Sequence, residues 1–289
     1  MPQSPISNKK VTTAVFRLKK ESGETLTMLT AYDFLTARAV DQSGIDSILV
    51  GDSLGMVILG YENTLPVTME DMLHHCRAVS RGSSRALLIG DMPFMSYQVS
   101  TSEAVRNAGR FLQEAGMDAV KLEGGVERLD AVQAIIDSGI PVLGHLGLTP
   151  QSVHQLGGFK AQGTSAVAAR KIFKDAQLLD QAGCFGIVLE SVPNRVAEFI
   201  SDQISIPTIG IGAGAGCDGQ VLVTHDLLGL FDKFTPKFVK QYALLHREIE
   251  TALQSYKKEV EAGEFPKEEH SFSISEEEWK LFLDLDTES

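Results

Sequence analysis

The chain has 289 residues, 43% of them hydrophobic and 22% charged, enough apolar material for a sizeable core and too much for disorder over its bulk. A formal charge of -12 excludes a nonspecific grip on nucleic acid or an anionic membrane, because both require a basic surface. Three cysteines without CxxC spacing exclude a disulfide framework and a zinc cluster, and no apolar run approaches the roughly 18 residues of a membrane span, so a cytoplasmic protein is expected.

Lys9, Lys10, Arg17, Lys19 and Lys20 open the chain with no acid among them, which is also the composition of an organellar transit segment. Val11, Val15 and Leu18 fall at helical spacing, however, and predict a short amphipathic helix beneath the domain that follows. Eight short runs rich in Val, Ile and Leu come next: Leu26–Ala31, Ser47–Gly51, Ala86–Gly90, Ala119–Leu122, Pro141–Gly144, Gly186–Leu189, Pro207–Ile211 and Val221–Thr224. Between them Thr68–Arg81, Ser102–Ala115, Val126–Ser138 and Ser165–Ala182 carry apolar residues every three to four positions and read as helices. Thr68, Ser102 and Thr164-Ser165 supply capping side chains or lead into first-turn acids. Gly116, Gly139 and Gly183 stand where a left-handed residue closes a helix before the next strand. The tail from Lys257 turns charged, and Trp279, Leu281 and Phe282 within Glu276–Leu285 suffice for a short amphipathic helix or a mobile terminus.

Alternating strands and helices fit either an open doubly wound sheet or a closed barrel. An open sheet gathers ligand groups at one switch point, whereas a barrel converges all strand ends on one mouth. Polar residues end nearly every run: Asp33, Asp52 with Ser53, Asp91, Glu123, His145, Glu190 and His225. The α/β class with a (β/α)8 TIM barrel, an N-terminal helix and a C-terminal helical tail is the expectation.

Asp52, Asp91 and Glu123 follow one another at 39 and 32 residues, each interval about one β/α unit. Three consecutive strands thus bring a carboxylate to one rim, where repulsion is costly without a cation. An all-oxygen set suits Mg2+; any one acid alone reads better as the cap of the helix after it, and it is the three in consecutive units that favour the metal. Lys121 lies two positions before Glu123, so both point to one face of a strand, and an inward ammonium needs the acids or an anionic substrate as partner. Glu190, two units further on, is a candidate for proton transfer or again a helix cap. The run Gly210–Gly216 invites a dinucleotide reading, but it leads into a strand-like segment rather than a helix; its glycines instead allow close approach of ligand or loops. His74 and His75 read as surface or interface residues, His145 as pocket lining or core, and the cysteines as packing residues.

Six ordered motifs carry a resemblance: Val50-Gly-Asp-Ser-Leu-Gly-Met-Val, Gly90-Asp-Met-Pro-Phe, Ala119-Val-Lys-Leu-Glu-Gly-Gly, Gly144-His-Leu-Gly-Leu-Thr-Pro-Gln, Ile209-Gly-Ile-Gly-Ala-Gly and Asp218-Gly-Gln-Val-Leu-Val. Together, over about residues 11–271, they resemble the ketopantoate hydroxymethyltransferase family. The resemblance implies transfer of a one-carbon unit from 5,10-methylenetetrahydrofolate to 3-methyl-2-oxobutanoate, giving 2-dehydropantoate on the way to pantothenate and coenzyme A. By the same likeness Asp52, Asp91 and Glu123 surround Mg2+, Asp52, Ser53, Asp91 and Lys121 contact the oxo acid, and Glu190 accepts the proton. It further implies small-molecule partners only and a homo-oligomer, typically a decamer. Residues 1–289 are then one catalytic domain, with 272–289 an extension past the usual terminus. Two other readings stay open: a Mg2+ barrel C–C lyase acting on 2-oxo acids, for which no Lys-Lys-Cys-Gly-His loop is present, and a non-catalytic scaffold.

Overall fold

In a computed structural model, which describes residues 9–285, eight parallel strands close into a barrel in sequence order. The strands are β1 Leu26–Thr30, β2 Ser47–Val50, β3 Leu87–Asp91, β4 Ala119–Glu123, β5 Val142–Gly147, β6 Gly186–Glu190, β7 Thr208–Ile211 and β8 Gly219–Leu222. An N-terminal helix α1 (Thr13–Ser22) precedes them. Helices α2 (Phe34–Gln42), α3 (Met69–Gly82), α4 (Thr101–Ala115), α5 (Leu129–Asp137), α6 (Ala166–Gln181) and α7 (Asn194–Gln203) follow β1 to β6 in turn. The glycine run passes from β7 straight into β8 without a helix, and β8 is followed by a single turn, Thr224–Leu227.

Strand side chains alternate between the barrel lumen and the helical layer. The lumen is filled from below by Leu26, Met28, Leu49, Leu87, Ile89, Ala119, Leu143, Val188, Ile209 and Val221. The alternate positions Ile48, Val50, Leu88, Val120, Leu122 and Val142 join the helices in a second, larger core. Continuing the two-residue step up β3, β4, β5 and β6 from Ile89, Ala119, Leu143 and Val188 reaches Asp91, Lys121, His145 and Glu190. The polar residues therefore share the inward face of the apolar ones beneath them.

Helix α1 closes the lower end. Phe16 is fully buried within the luminal cluster, and the last-turn lysines Lys19 and Lys20 bond Asp46 and Asp218, each at 2.8 Å, just before β2 and β8. Val11 and Val15 lie on this face as expected, but Leu18 is 60% exposed; Phe16 occupies the place assigned to it, because the chain enters the helix only at Thr13.

Local chemistry fixes the other boundaries. Thr68 and Asp71 form a reciprocal capping box on α3, while α4 is capped by Ser100 rather than Ser102 and α6 by Ser165. Gly116, Gly139 and Gly183 all have positive φ. The last strand begins and ends two residues earlier than Val221–Thr224, since the Thr224 backbone N–H and hydroxyl are both taken by Thr30 and start the next turn.

The described chain separates into two compact units, one up to Tyr242 and one from Ala243 on, where the sequence reading set off only residues 272–289. The second unit contains α8 (Leu245–Glu261) and α9 (Glu276–Leu285), the latter a helix of ten residues on the expected segment. Residues 1–8 and 286–289 of the expected single domain lie outside the described residues. No helix among the described residues is long and apolar enough to cross a membrane.

One polar anchor in the helical layer is titratable. Asp41 of α2 is buried and accepts hydrogen bonds from Ser83 Oγ and Ala86 N at 2.7 Å and from Arg85 N at 3.0 Å, tying α2 to the entry of β3. Burial raises its pKa, but these donors outweigh burial and hold it below the ordinary carboxylate value. A depressed folded-state pKa stabilises the fold above the unfolded value of about 3.9 and loses that contribution as pH falls through the folded value. Asp41→Asn is thus expected to cost about 1–3 kcal/mol at pH 7, a deficit that shrinks below about pH 4. Urea unfolding at both pH values measures it, and an equal deficit at each contradicts the assignment.

Candidate active site

Asp52, Ser53, Asp91, Lys121, Glu123 and Glu190 all line one cavity of about 450 Å³ at the carboxyl ends of the strands, the end where barrels carry their chemistry. Register brings them together. Asp91 stands opposite Lys121 across β3 and β4, Glu123 opposite His145 across β4 and β5, and Gly147 opposite Glu190 across β5 and β6.

Lys121 Nζ donates to both oxygens of Asp91, at 2.7 and 2.8 Å, and both side chains are almost wholly buried. Asp91 Oδ2 also accepts the backbone N–H of Asp52 at 3.1 Å, which fixes the start of the loop after β2. Burial disfavours the Lys121 ammonium, but Asp91, Glu123 and Asp52 surround it with negative charge and keep its pKa above the usual lysine value. The same crowding acts on Asp91: burial, Asp52 and Glu123 push its carboxyl up to about 7 against the pull of Lys121.

Gln151 ties the other acids down. Its side-chain Nε2 donates to Asp52 Oδ2 and to the Met92 carbonyl, each at 3.0 Å, and its backbone N–H donates to Glu123 Oε2 at 3.0 Å. The Tyr97 hydroxyl donates to Gln151 Oε1 at 2.6 Å and accepts the Glu123 N–H at 3.2 Å. Ser53 pairs with the Tyr32 hydroxyl at 2.8 Å. Sequence reasoning missed Gln151, Tyr97 and Tyr32 as positioning groups. Gln151 ended one of the quoted motifs and Tyr32 directly followed the first run, which were their signals; Tyr97 lies well beyond the end of β3 and carried none.

His145 links the two acids that spacing had set apart. Its Nδ1 is 3.5 Å from Glu123 Oε1 and its Nε2 3.2 Å from Glu190 Oε2, ion-pair distances without the geometry of a hydrogen bond. Burial and the Lys121 charge oppose protonation of the ring, but Glu123 and Glu190 prevail and push its pKa up to about 9. Burial likewise pushes the Glu123 carboxyl up, against His145. Glu190, the last residue of β6, is held from beneath by its backbone: the Leu148 N–H donates to its carbonyl at 2.8 Å. Gly147 permits this approach, for a Cβ there would lie 2.2 Å from that carbonyl oxygen.

Asp33 does not contribute to this floor; it caps α2 through Thr36. Around the rim the cavity is lined by Phe159, Phe231, Phe234 and Phe238, which the sequence reading did not single out. The glycine run meets one of them: a Cβ on Gly212 would lie 2.8 Å from the Phe238 ring.

Among the described residues no three His, Cys, Asp or Glu side chains are grouped as a ready-made metal cage. Mg2+ does not require one, because it characteristically uses one or two carboxylates and completes its octahedron with waters and substrate oxygens. The donor chemistry fits such a cation. Three acids outnumber the ammonium on this floor, and Glu123 Oε1 is buried without a hydrogen-bond donor.

A closed parallel barrel with paired carboxylates and a lysine at its mouth defines the class as a barrel enzyme acting on a small polar molecule. A profile of the ketopantoate hydroxymethyltransferase family matches residues 10–268. A 3-methyl-2-oxobutanoate hydroxymethyltransferase from Syntrophomonas wolfei is 61% identical over 93% of this chain and 97% of its own. That of Clostridium botulinum strain Loch Maree is 56% identical over 92% and 97%. The chain belongs to the ketopantoate hydroxymethyltransferase family and is a hydroxymethyltransferase. Solved structures share its fold at low identity: a phosphonopyruvate hydrolase at TM-score 0.60 and 12% identity, covering 96% of each chain, and a 2,3-dimethylmalate lyase at 0.57 and 14%, covering 90% and 88%.

Gly147→Ala is expected to destabilise the protein by about 1–3 kcal/mol, since it strains a residue at φ 95° and presses on the Glu190 carbonyl. Turnover should fall with it. Wild-type unfolding and rate in this variant rule out Gly147 as the support of Glu190.

Proposed function

We propose that the enzyme transfers the one-carbon unit of 5,10-methylenetetrahydrofolate to 3-methyl-2-oxobutanoate, forming 2-dehydropantoate for pantothenate and coenzyme A synthesis. The observation that carries this reading is the buried floor on which Asp52, Asp91, Glu123 and Lys121 meet, with Glu190 across His145 on the same cavity. Asp52, Asp91 and Glu123 would hold Mg2+, which supplies Lewis-acid polarisation of the oxo acid's carbonyl.

The chain's own groups do the rest. Lys121, kept protonated by its acidic neighbours, places positive charge beside the substrate's carboxylate and the developing enolate oxygen. Asp52, Ser53 and Asp91 orient the oxo acid, Ser53 being fixed in turn by Tyr32. Glu190 takes the proton from C3, and His145 holds that carboxylate beside the floor. C3 then bonds to the donor's methylene carbon and water supplies the hydroxyl oxygen; both C–N bonds of that carbon break, and the proton from C3 and one from the water end on N5 and N10 of the departing tetrahydrofolate.

Two further parts of the reading concern setting. All three cysteines are free and buried, which supports a reducing, cytoplasmic compartment. Helix α8 displays Ile249, Leu253, Tyr256 and Val260 at helical spacing, all exposed, and this stripe supports a homo-oligomer, a decamer by family likeness.

Mixing protein, Mg2+, 3-methyl-2-oxobutanoate and methylenetetrahydrofolate should yield 2-dehydropantoate by mass, and chelation by EDTA should abolish the yield. No product from the complete mixture hands the lead to a C–C lyase acting on 2-oxo acids.

In the second test, Glu190→Gln should slow exchange of the substrate's C3 proton with solvent by at least about 100-fold while Mg2+-dependent binding of the oxo acid persists. Undiminished exchange in that variant removes Glu190 as the base.

A further inference from the structure

The cavity is chemically divided, and the steps above use only its floor. Its volume of about 450 Å³ lies in the range of sites that enclose a drug-sized ligand, well beyond what a five-carbon oxo acid fills. Besides aliphatic side chains such as Val57 and Ile211, the rest of its lining includes Asp226 and four aromatic rings, Phe159, Phe231, Phe234 and Phe238. Phe231 and Phe234 meet edge to face with centroids 5.5 Å apart, and Phe234 is 53% exposed. An exposed phenyl at a cavity mouth offers a flat apolar face to a ligand.

The same lining includes one carboxylate that the fold does not use. Asp226 lies in the turn after β8, yet its side chain accepts no hydrogen bond and joins no ion pair among the described residues. Burial alone acts on it, pushing its pKa up to about 6. It acts on the Tyr32 phenol together with Asp52, so it stands within electrostatic reach of the floor. The oxo acid is a poor match for it, because that substrate is an anion with no N–H to donate. A carboxylate that shares its cavity with phenyl rings matches a planar heterocycle that presents two parallel N–H donors on one edge.

We infer that Asp226, with Phe231, Phe234 and Phe238, is the recognition site for the ring of the one-carbon donor. The two carboxylate oxygens accept the 2-amino and N3 hydrogens of its 2-amino-4-oxopyrimidine edge, and the phenyl rings cover its faces. Lys237, which also lines the cavity and forms no ion pair among the described residues, suits the donor's anionic tail. The inference rests on the folate donor proposed above and adds where that donor is held.

The test is calorimetric titration of tetrahydrofolate into wild-type protein, Asp226→Asn and Phe234→Ala, with the KM for methylenetetrahydrofolate measured alongside. Asp226→Asn is expected to raise both Kd and KM about tenfold or more, and Phe234→Ala to raise them several-fold. Exchange of the oxo acid's C3 proton in the absence of donor reads the floor separately and shows that each variant is folded. Wild-type Kd and KM in both variants, with wild-type protein turning over, overturn the placement and leave the function standing. If wild-type protein neither binds tetrahydrofolate nor forms product, the donor assignment itself fails and takes the placement with it.

Discussion

The Asp91–Lys121 pair is the interaction on which the site depends, and the barrel's geometry makes it unavoidable. Parallel register sets the two residues opposite each other, and the two-residue strand period turns both inward. Each charge buried alone would cost several kcal/mol. Together, with Lys121 reaching both oxygens and the Asp52 N–H adding a third bond, they are held in one geometry. The lower lumen contains no such groups because its layers are apolar and closed beneath by Phe16. Charge is thereby confined to the one end of the barrel where a ligand can enter.

One ammonium does not balance that end. Asp52 and Glu123 remain beside the pair, and the surplus acts in two places: it pushes the Asp91 carboxyl up against the pull of Lys121, and it favours the protonated form of His145 between Glu123 and Glu190. It also explains why so many neutral donors converge there. Gln151 and Tyr97 come from loops with no place in the barrel's own bonding, yet each satisfies or positions an acid. A floor with net negative charge and fixed oxygens suits the cation and the chelating oxo acid proposed for it.

How much of this could be read beforehand follows from which forces are local. The strands and their carboxylate ends were legible because hydrophobic runs and a β/α interval are properties of contiguous sequence. The three glycine closures were legible because left-handed backbone selects glycine. Gln151 and Tyr97 were not, since loop residues carry no period, and their partners lie up to 99 residues away. The link between Glu190 and Glu123 was not legible for a related reason: counting strands from Glu123 passes over His145, which faces the same lumen and stands between the two acids. Leu18 was assigned inward because spacing marks a face without showing where the helix begins.

The glycine run shows the same limit from the other side. Its composition resembled a dinucleotide-binding run, and the strand after it argued against one; close approach of ligand or loops was the expectation, without a partner named. In the fold, Gly212 adopts a positive φ and leaves room for the Phe238 ring, where any side chain would collide with it. Phe238 is thus seated against the end of β7, and Phe231 and Phe234 pack on each other beside the same cavity. Backbone freedom at one strand end and aromatic lining at the rim are parts of one arrangement. Rigid strands fix the reacting floor, whereas a loop seated on glycine can shape the rim without disturbing the register beneath it.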